Sequence, residues 1–527
     1  VQMAIARPSA FKVFLTFFTH RQNVSTCGSL IVQSQKNISS QKINTMGGGL
    51  LQLVAYGAQD AYITGNPHIT FWKVMYKRHT NFAMEAMRVN FTGTAQYGQR
   101  VVAIVNRNAD LIYRTYLEVT LPDTTAAATG ASKDVYWTPG GMRRLGYLLL
   151  EKIEVEIGGQ VIDRHYGEWW YLWECLTASV NQVSKADQML GADRAGRTST
   201  MATCNGRPSV LYIPFGFWFN RNPGLALPLI ALQYHDVHFN VWFRKATDLV
   251  TTYNRWDPAN PPTYTGGINW SSIAGAAAAL PPPKDAAIYI DYIYLDTDER
   301  RRFAQDSHEY LIEQLQYSLP QTITSQMGRL DLTLNHPIKE LVWVFQDARR
   351  LDCSLPTGLP PDFYTGNSIT STGDGSSVQS LGGYTQPFAY DDIVDRCRIQ
   401  LNGQDRFDER YGDYFWKVQP FQHHTGGAMP LLNAFVDTTN TAAYDGLRQG
   451  TVNPINVYSF ALQPEEHQPS GSCNFSRIDT ATLVFDAINS AGAKFPTKNT
   501  PFVFRLYAVN YNVFRVMSGM GGLAYSN

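Results

Sequence analysis

Histidine and carboxylate pairs are the first residues to test for chemistry. His235-x-x-His238 and His423-His424 bring imidazoles close along the chain, the residue type that most often ligates a transition metal or moves protons near neutral pH. On a strand over 233–240, His235 and His238 point to opposite faces and converge poorly. Surface or hydrogen-bonded histidines are therefore favoured over a metal site. Two carboxylate pairs, Asp163/Glu168 and Asp408/Asp413, are spaced alike, and their matched placement favours structural duty over one catalytic centre. A Ser-His-Asp triad has no G-x-S-x-G elbow to carry it. Gly519-x-Gly521-Gly522 has neither a following helix nor a phosphate-binding Lys. Trp169-Trp170-x-x-Trp173 and Gly216-Phe-Trp-Phe-Asn220 are open to two readings, stacking on sugars or bases and filling a sandwich or inter-subunit core, with the core favoured. The cysteines Cys27, Cys175, Cys204, Cys353, Cys397 and Cys473 are far apart, with no C-x-x-C, as expected of buried thiols rather than zinc ligands or a disulfide framework. No catalytic residue, metal or cofactor is expected.

Composition narrows the classes further. In 527 residues, 44 Lys+Arg balance 44 Asp+Glu, and charged residues are only 17% while aromatics reach 13%. Zero net charge supplies no electrostatic footprint for wrapping nucleic acid. The 29 Tyr, 27 Phe and 11 Trp argue against general disorder. A large chain so poor in charge is expected to have much of its surface covered by other protein. No apolar run approaches the ~20 residues of a membrane-spanning helix. The charge is unevenly placed. Residues 1–59 contain Arg7, Lys12, Arg21, Lys36 and Lys42 and no acid, leaving a mildly acidic remainder. That segment reads as a transit peptide or as a basic arm on an acidic surface, and Met46-Gly47 as a second natural start.

The elements that must position these residues are mostly strands. Short, partly alternating runs rich in Val, Ile, Tyr and Phe are expected at 101–105, 113–121, 152–157, 237–243, 287–295, 341–345, 398–401, 482–485 and 502–509, the pattern of sandwiches or barrels. Helices are expected over 166–182, where Trp169, Leu172, Trp173 and Leu176 share one face, and from Thr297 through Arg300-Arg301-Arg302. Long loops of low order are expected at 123–141, 248–285, 357–388 and 423–454.

The decisive internal feature is a duplication. Ile153-Glu-Val-Glu-Ile-Gly-Gly-Gln160 followed by Tyr166-Gly167-Glu168-Trp169-Trp170 is matched by Arg398-Ile-Gln-Leu-Asn-Gly-Gln404 followed by Tyr411-Gly412-Asp413-Tyr414-Phe415. Each copy reads as a strand, a glycine-bearing tight turn, a second strand and a polar-aromatic entry to a helix. So long a period excludes solenoids and propellers and implies two related β domains in tandem. Three such chains would present six similar corners, suited to hexagonal packing.

At this level the chain is similar to a known family. Gly47-Gly-Gly-Leu-Leu-Gln-Leu-Val-Ala-Tyr-Gly-Ala-Gln-Asp60, Tyr62-Ile-Thr-Gly-Asn-Pro67 and Thr70-Phe-Trp-Lys-Val-Met-Tyr-Lys-Arg-His-Thr-Asn-Phe82 resemble the N-terminus of major capsid proteins of nucleocytoplasmic large DNA viruses. Leu295-Asp-Thr-Asp-Glu-Arg-Arg-Arg-Phe303, Pro469-Ser-Gly-Ser-Cys-Asn-Phe-Ser-Arg-Ile-Asp479, Tyr507-Ala-Val-Asn-Tyr-Asn512 and Ser518-Gly-Met-Gly-Gly-Leu-Ala-Tyr-Ser-Asn527 resemble its later segments. The resemblance runs from about Met46 to Asn527 and leaves 1–45 outside. It implies an all-β double jelly roll with few short helices and a structural, non-enzymatic role. It also implies homotrimeric pseudo-hexagonal capsomers that tile an icosahedral shell over an internal membrane. The implied partners are further copies, minor capsid and penton proteins, without direct nucleic-acid contact. The implied location is the virion, with assembly in the host cytoplasm or a virus factory.

The expected layout is an N-terminal extension and extended arm over 1–69, jelly rolls over 70–296 and 312–515, a connector over 297–311 and a tail over 516–527. Gly47, Gly48, Gly49, Leu50, Leu51 and Tyr56 are the candidate contacts of the arm with neighbouring capsomers on the inner face, because the glycines permit φ > 0 and close approach. Of the sequons at Asn23, Asn37, Asn90, Asn269 and Asn474, Asn269 is the candidate glycan site, in a long loop. The competing readings are a two-domain jelly-roll glycan-binding protein or hydrolase, which needs a cleft between lobes, and a surface spike or receptor-binding protein using the long loops.

Overall fold

The computed structural model describes residues 48–68, 71–72, 76–122, 133–137, 145–191, 203–204, 207–208, 210–254, 281–348, 380–381, 384–385, 394–426, 455–487 and 501–525. Asn269 and Gly47 lie outside them, as do most of the four long-loop segments. The chain divides into two compact units, Val1–Thr80 and Asn81–Asn527.

The first unit is short and helical where described, with an α-helix Gly48–Val54, a 3-10 turn Ala58–Asp60 and a helical turn Ala61–Thr64. The extended backbone expected around Gly48 and Gly49 is not found. Both glycines open the first helix, neither has positive φ, and a Cβ on either would meet nothing within 4 Å. The reason is local: Leu50-Leu51-Gln52-Leu53 are good helix formers, and the glycines sit in the first turn, whose N–H groups have no partner within the helix.

The second unit is built from four sheet layers that pair two by two. In the first lobe, strands Phe82–Thr92, Asp285–Leu295, Leu111–Thr120 and Val210–Pro214 form one layer. Strands Arg100–Ile104, Val237–Phe243, Leu150–Ile157 and Gln160–Tyr166 form the other, and the two run into one nine-stranded sheet where Phe91 and Thr92 pair with Ala103 and Val102. In the second lobe the same order returns, as His308–Ile323, Phe502–Met517, Pro337–Asp347 and Asn456–Ser459 against Met327–Asp331, Ala481–Ala487, Val394–Leu401 and the short strands at 404–405 and 410–411. All these pairings are antiparallel, and among the described residues no ladder joins one lobe to the other. Two four-stranded layers with this interleaved order make a jelly roll, and the chain carries it twice.

Glycine geometry explains why the duplicated motif looks as it does. Gly158-Gly159 (φ 59° and 84°) and Asn402-Gly403 (φ 50° and 77°) are the central residues of matching two-residue hairpins, closing Ile157 on Gln160 and Leu401 on Gln404. Two positive φ values in succession are what a tight hairpin matched to strand twist requires. At the end of each second strand, Gly167 and Gly412 pass against the opening of the strand before it. A Cβ on Gly167 would sit 2.0 Å from the Tyr147 carbonyl oxygen and 2.5 Å from that of Leu150, and one on Gly412 2.2 Å from that of Val394.

Helices fill the ends of the sandwiches. The expected helix over 166–182 is two, Gly167–Thr177 and Val180–Leu190, interrupted by extended Ala178. Thr297–Gln305 is a helix whose N-cap, Asp296, accepts from the Thr297 N–H. Three of the expected loops contain paired structure: Val250–Asn254 forms a ladder with Lys133–Trp137, and Ser380–Leu381 pairs with Tyr384–Thr385.

Candidate functional site

The site that distinguishes this chain is the seam where one lobe meets the other. Strand Pro337–Asp347 shows how it forms. Leu341, Trp343 and Phe345 face the second lobe's own core, with Phe504, Leu506, Ile399 and Leu483. Val342 and Val344 face the other way and join the first lobe's core beside Tyr507, Val509, Phe514 and Val516. Both faces are buried, so the strand reads as a continuous apolar run rather than an alternation. Its counterpart in the first lobe, Leu111–Thr120, keeps the alternation, with Arg114 exposed and Tyr116 and Glu118 half-buried.

The first lobe approaches this face with the helix Gly167–Thr177. Trp169 is fully buried and packs on Tyr507, ring centroids 5.4 Å apart, while Trp173 meets His424 edge-on at 6.3 Å. The Gly216–Asn220 aromatics are interior too, with Phe217, Trp218 and Phe219 all buried and Trp218 against Phe514. These clusters are core, not stacking platforms for a ligand.

Three charged groups are sealed into the seam. Glu168 receives Arg505, Arg244 at 3.2 Å and the Tyr507 hydroxyl at 3.1 Å. Burial pushes its carboxyl up, but the Arg505 and Arg244 charges and the hydrogen bonds outweigh this and hold it below the usual range. Glu313 accepts from Lys339 at 2.7 Å and pairs with Arg221 at 3.1 Å. Against the upward effect of burial, His467 at 3.9 Å and those two cations bring it down to about 2. His424 is the third, with Nε2 3.3 Å from Glu340 and Nδ1 3.1 Å from Glu465. Burial opposes its protonation, yet the two carboxylates push it up to about 9.

Backbone contacts complete the seam. Asp163 accepts from the Leu315 N–H at 3.2 Å, Gln314 donates to the Ile162 carbonyl, and the Gly426 N–H donates to the Leu176 carbonyl at 2.8 Å. At the far end, Met520–Leu523 folds back on Phe502–Met517 through the Ser518-Gly519 turn, and the Tyr234 N–H donates to the Gly519 carbonyl at 3.0 Å. Gly519-x-Gly521-Gly522 is thus a hairpin that clasps the first lobe.

The candidate chemical residues disperse over this framework. His235 precedes the strand that begins at Val237 rather than lying in it, and its Nδ1 sits 3.0 Å from the Gly521 carbonyl. His423 turns to the Leu462 carbonyl, away from buried His424. Asp163 lies 3.0 Å from the Nε2 of buried His165, an arrangement like the acid–base half of a triad, but the other ring nitrogen accepts from the Trp170 indole N–H at 2.9 Å where a nucleophile would be needed. Asp408 and Asp413 are exposed, and Asp413 pairs with Lys417 at 2.7 Å. No group of three or more metal-ligating side chains occurs among the described residues. The seam cavity lined by His165, Trp169, Arg221 and Glu313 has a volume of about 10 Å³, space for one water at most.

Sequence reasoning did not find Arg505, Lys339 or His424 as seam residues. One signal was present for Lys339 and Glu340, a charged pair at the head of the apolar run Leu341–Phe345.

Comparison with known proteins bears on what a tightly sealed pair of jelly rolls is for. Residues 70–296 match the family described as major capsid protein N-terminus, and residues 299–522 match large eukaryotic DNA virus major capsid protein. The major capsid protein of Pyramimonas orientalis virus is 43% identical, and that of Phaeocystis pouchetii virus 40%, each alignment spanning 92% of this chain and 100% of the relative. The chain belongs to the major capsid proteins of large eukaryotic DNA viruses. A solved chain of the PBCV-1 virus capsid is similar over 87% of this chain and 100% of its own length, at 32% identity and a TM-score of 0.59. The capsid protein is therefore a structural component of the virion with the double jelly-roll fold, and its family is not enzymatic. A sealed seam suits that role, because a shell subunit must transmit load between lobes rather than open around a substrate.

Proposed function

We propose that this capsid protein forms homotrimeric, pseudo-hexagonal capsomers that tile an icosahedral shell. The observation carrying this reading is the structural duplication: two jelly rolls docked side by side supply two similar corners per chain, hence six in a closed trimer. In the same reading the domains run over 70–296 and 312–515, joined by 297–311, with 516–527 as the tail.

The arm is assigned to neighbouring capsomers and to minor capsid and penton proteins on the inner side of the shell, near an internal membrane. Support comes from its exposed apolar side chains, among them Leu53 at 80%, Tyr62 at 94% and Phe71 at 97% accessible. Such a density of exposed large apolar groups marks a surface that is covered in use. Leu50, Leu51 and Tyr56 belong to this set, each at least half exposed. Assembly is placed in the host cytoplasm or a virus factory.

Light scattering on the purified protein at low concentration tests the trimer, with three copies expected and hexagonal outlines expected by electron microscopy. A single-copy mass at every concentration would overturn it. Deleting 48–76 is expected to leave the trimer mass unchanged and to abolish shell assembly, and intact shells from the deleted chain would refute the role of the arm.

A further inference from the structure

We infer that the arm is a peripheral lipid anchor. It lies on a bilayer that carries anionic headgroups, with the apolar side chains of Gly48–Val54 and the rings of Phe71, Trp72 and Tyr76 in the acyl boundary and Lys77 and Arg78 among the headgroups. This rests on the inward placement of the arm proposed above and names the surface it meets there.

Charge narrows the occupant first. Between Asp60 and Glu85 the sequence has no acid, and within that stretch Lys77 and Arg78 stand exposed. Before Asp60 there is again no acid, against five basic residues in 1–59. Asp60 itself caps its own turn, its carboxylate accepting from the Gly57 N–H at 2.8 Å. A segment so one-sided in charge is complementary to an anionic surface, and a bilayer rich in acidic lipid attracts each Lys or Arg that comes within a Debye length of it.

The apolar groups decide that this surface is lipid. In Gly48–Val54, Leu50, Leu51, Leu53 and Val54 cover an arc of about 160° at 3.6 residues per turn, with Gln52 opposite, and none of them is buried. That arc is wider than the a/d seam with which one helix docks on another, and it suits a helix lying in the plane of an interface with one side sunk to the headgroup boundary. Trp72 and Tyr76 are 83% and 85% accessible. Each joins an apolar ring to a polar tip, the combination that concentrates at the edge of a bilayer. Lys77 and Arg78 follow at once, with stems long enough to lie along apolar surface while their charges stay in water. The order of rings and then cations gives shallow insertion with headgroup contact.

The anchor lies on the bilayer and does not cross it, since no helix among the described residues is long and apolar enough to span. Apolar insertion and a basic patch are each weak and reversible alone, and together they hold a protein on a membrane. A trimer presents three arms, so avidity strengthens the attachment further.

The test uses the full chain and vesicles of phosphatidylcholine containing about 30% phosphatidylserine, with bound protein read by flotation. The chain is expected to float with these vesicles and at least tenfold less with phosphatidylcholine alone. The double variant Lys77→Glu, Arg78→Glu is expected to lose binding on the order of tenfold or more, and Phe71→Ser with Trp72→Ser to lose a similar factor. Light scattering on each variant checks that its mass in solution is unchanged. Arg301→Glu with Arg302→Glu, an exposed pair outside the arm, is expected to float like the unaltered chain. No flotation, or an equal loss in this control pair, overturns the lipid assignment. If shells are then still abolished by deleting 48–76, the arm binds protein and its inward placement stands. Intact shells from the deleted chain, with flotation retained in both arm variants, would remove the inward reading and this inference together.

Discussion

Glu168 keeps its charge inside the protein because Arg505 and Arg244 reach it from opposite lobes, and because Tyr507 donates to the same carboxylate. Removing one member of such a buried set leaves the others uncompensated, at a cost of about 3–5 kcal/mol. Glu168→Gln is accordingly expected to lower stability by that amount in chemical denaturation, whereas Asp413→Asn, at the matched but exposed position, is expected to cost less than about 1 kcal/mol. His424 adds a pH dependence. Its folded pKa of about 9 lies above the unfolded value of 6.5. The stabilisation is therefore complete below pH 6.5 and is lost as pH rises through about 9, on the order of 3 kcal/mol. Glu313 acts at the other end. Held near 2 against an ordinary 4.5, it stabilises above pH 4.5 and loses that contribution as pH falls towards 2. Denaturation midpoints measured from pH 3 to 10 should therefore show a plateau between about 4.5 and 6.5 from these two groups. His424→Gln should remove the alkaline fall and leave the acid one. An alkaline slope identical in that variant would contradict the assignment.

At the scale of the element, the hairpin and helix entry are specified twice by glycine. Gly167→Ala and Gly412→Ala each force a methyl group into a backbone carbonyl, so the strand and helix start must separate. Such overpacking costs about 1–3 kcal/mol or more. Gly159→Ala meets no atom within 4 Å but holds φ at 84°, and its cost is the left-handed penalty alone, about 1–2 kcal/mol. Thermal unfolding should rank both carbonyl-facing glycines above Gly159, and the reverse order would refute this account. These motifs were legible because their causes are local: a two-residue turn needs positive φ, and a strand crossing needs a missing side chain. The arm misled for an equally local reason. Three glycines suggest extension, yet four following helix formers prevail once no neighbour demands close approach.

At the scale of the whole molecule, the two jelly rolls are similar in sequence pattern and unequal in environment. One outer sheet face is sealed by a partner lobe within the chain, and the other is only half-buried, with Arg114 exposed and Tyr116 and Glu118 intermediate. The length, the aromatic content, the tandem strands and the duplicated turn follow from the sequence alone, since period-2 alternation and glycine placement report on backbone geometry wherever they occur. The sequence cannot tell that Glu168 is buried and Asp413 exposed, or Leu176 covered and Phe421 bare, because matched positions carry the same kind of residue. That difference arises only when Gly167–Thr177 docks on strands 337–347 and 502–517, far away along the chain. Burial there is a property of which surfaces meet, and only the tertiary structure decides it.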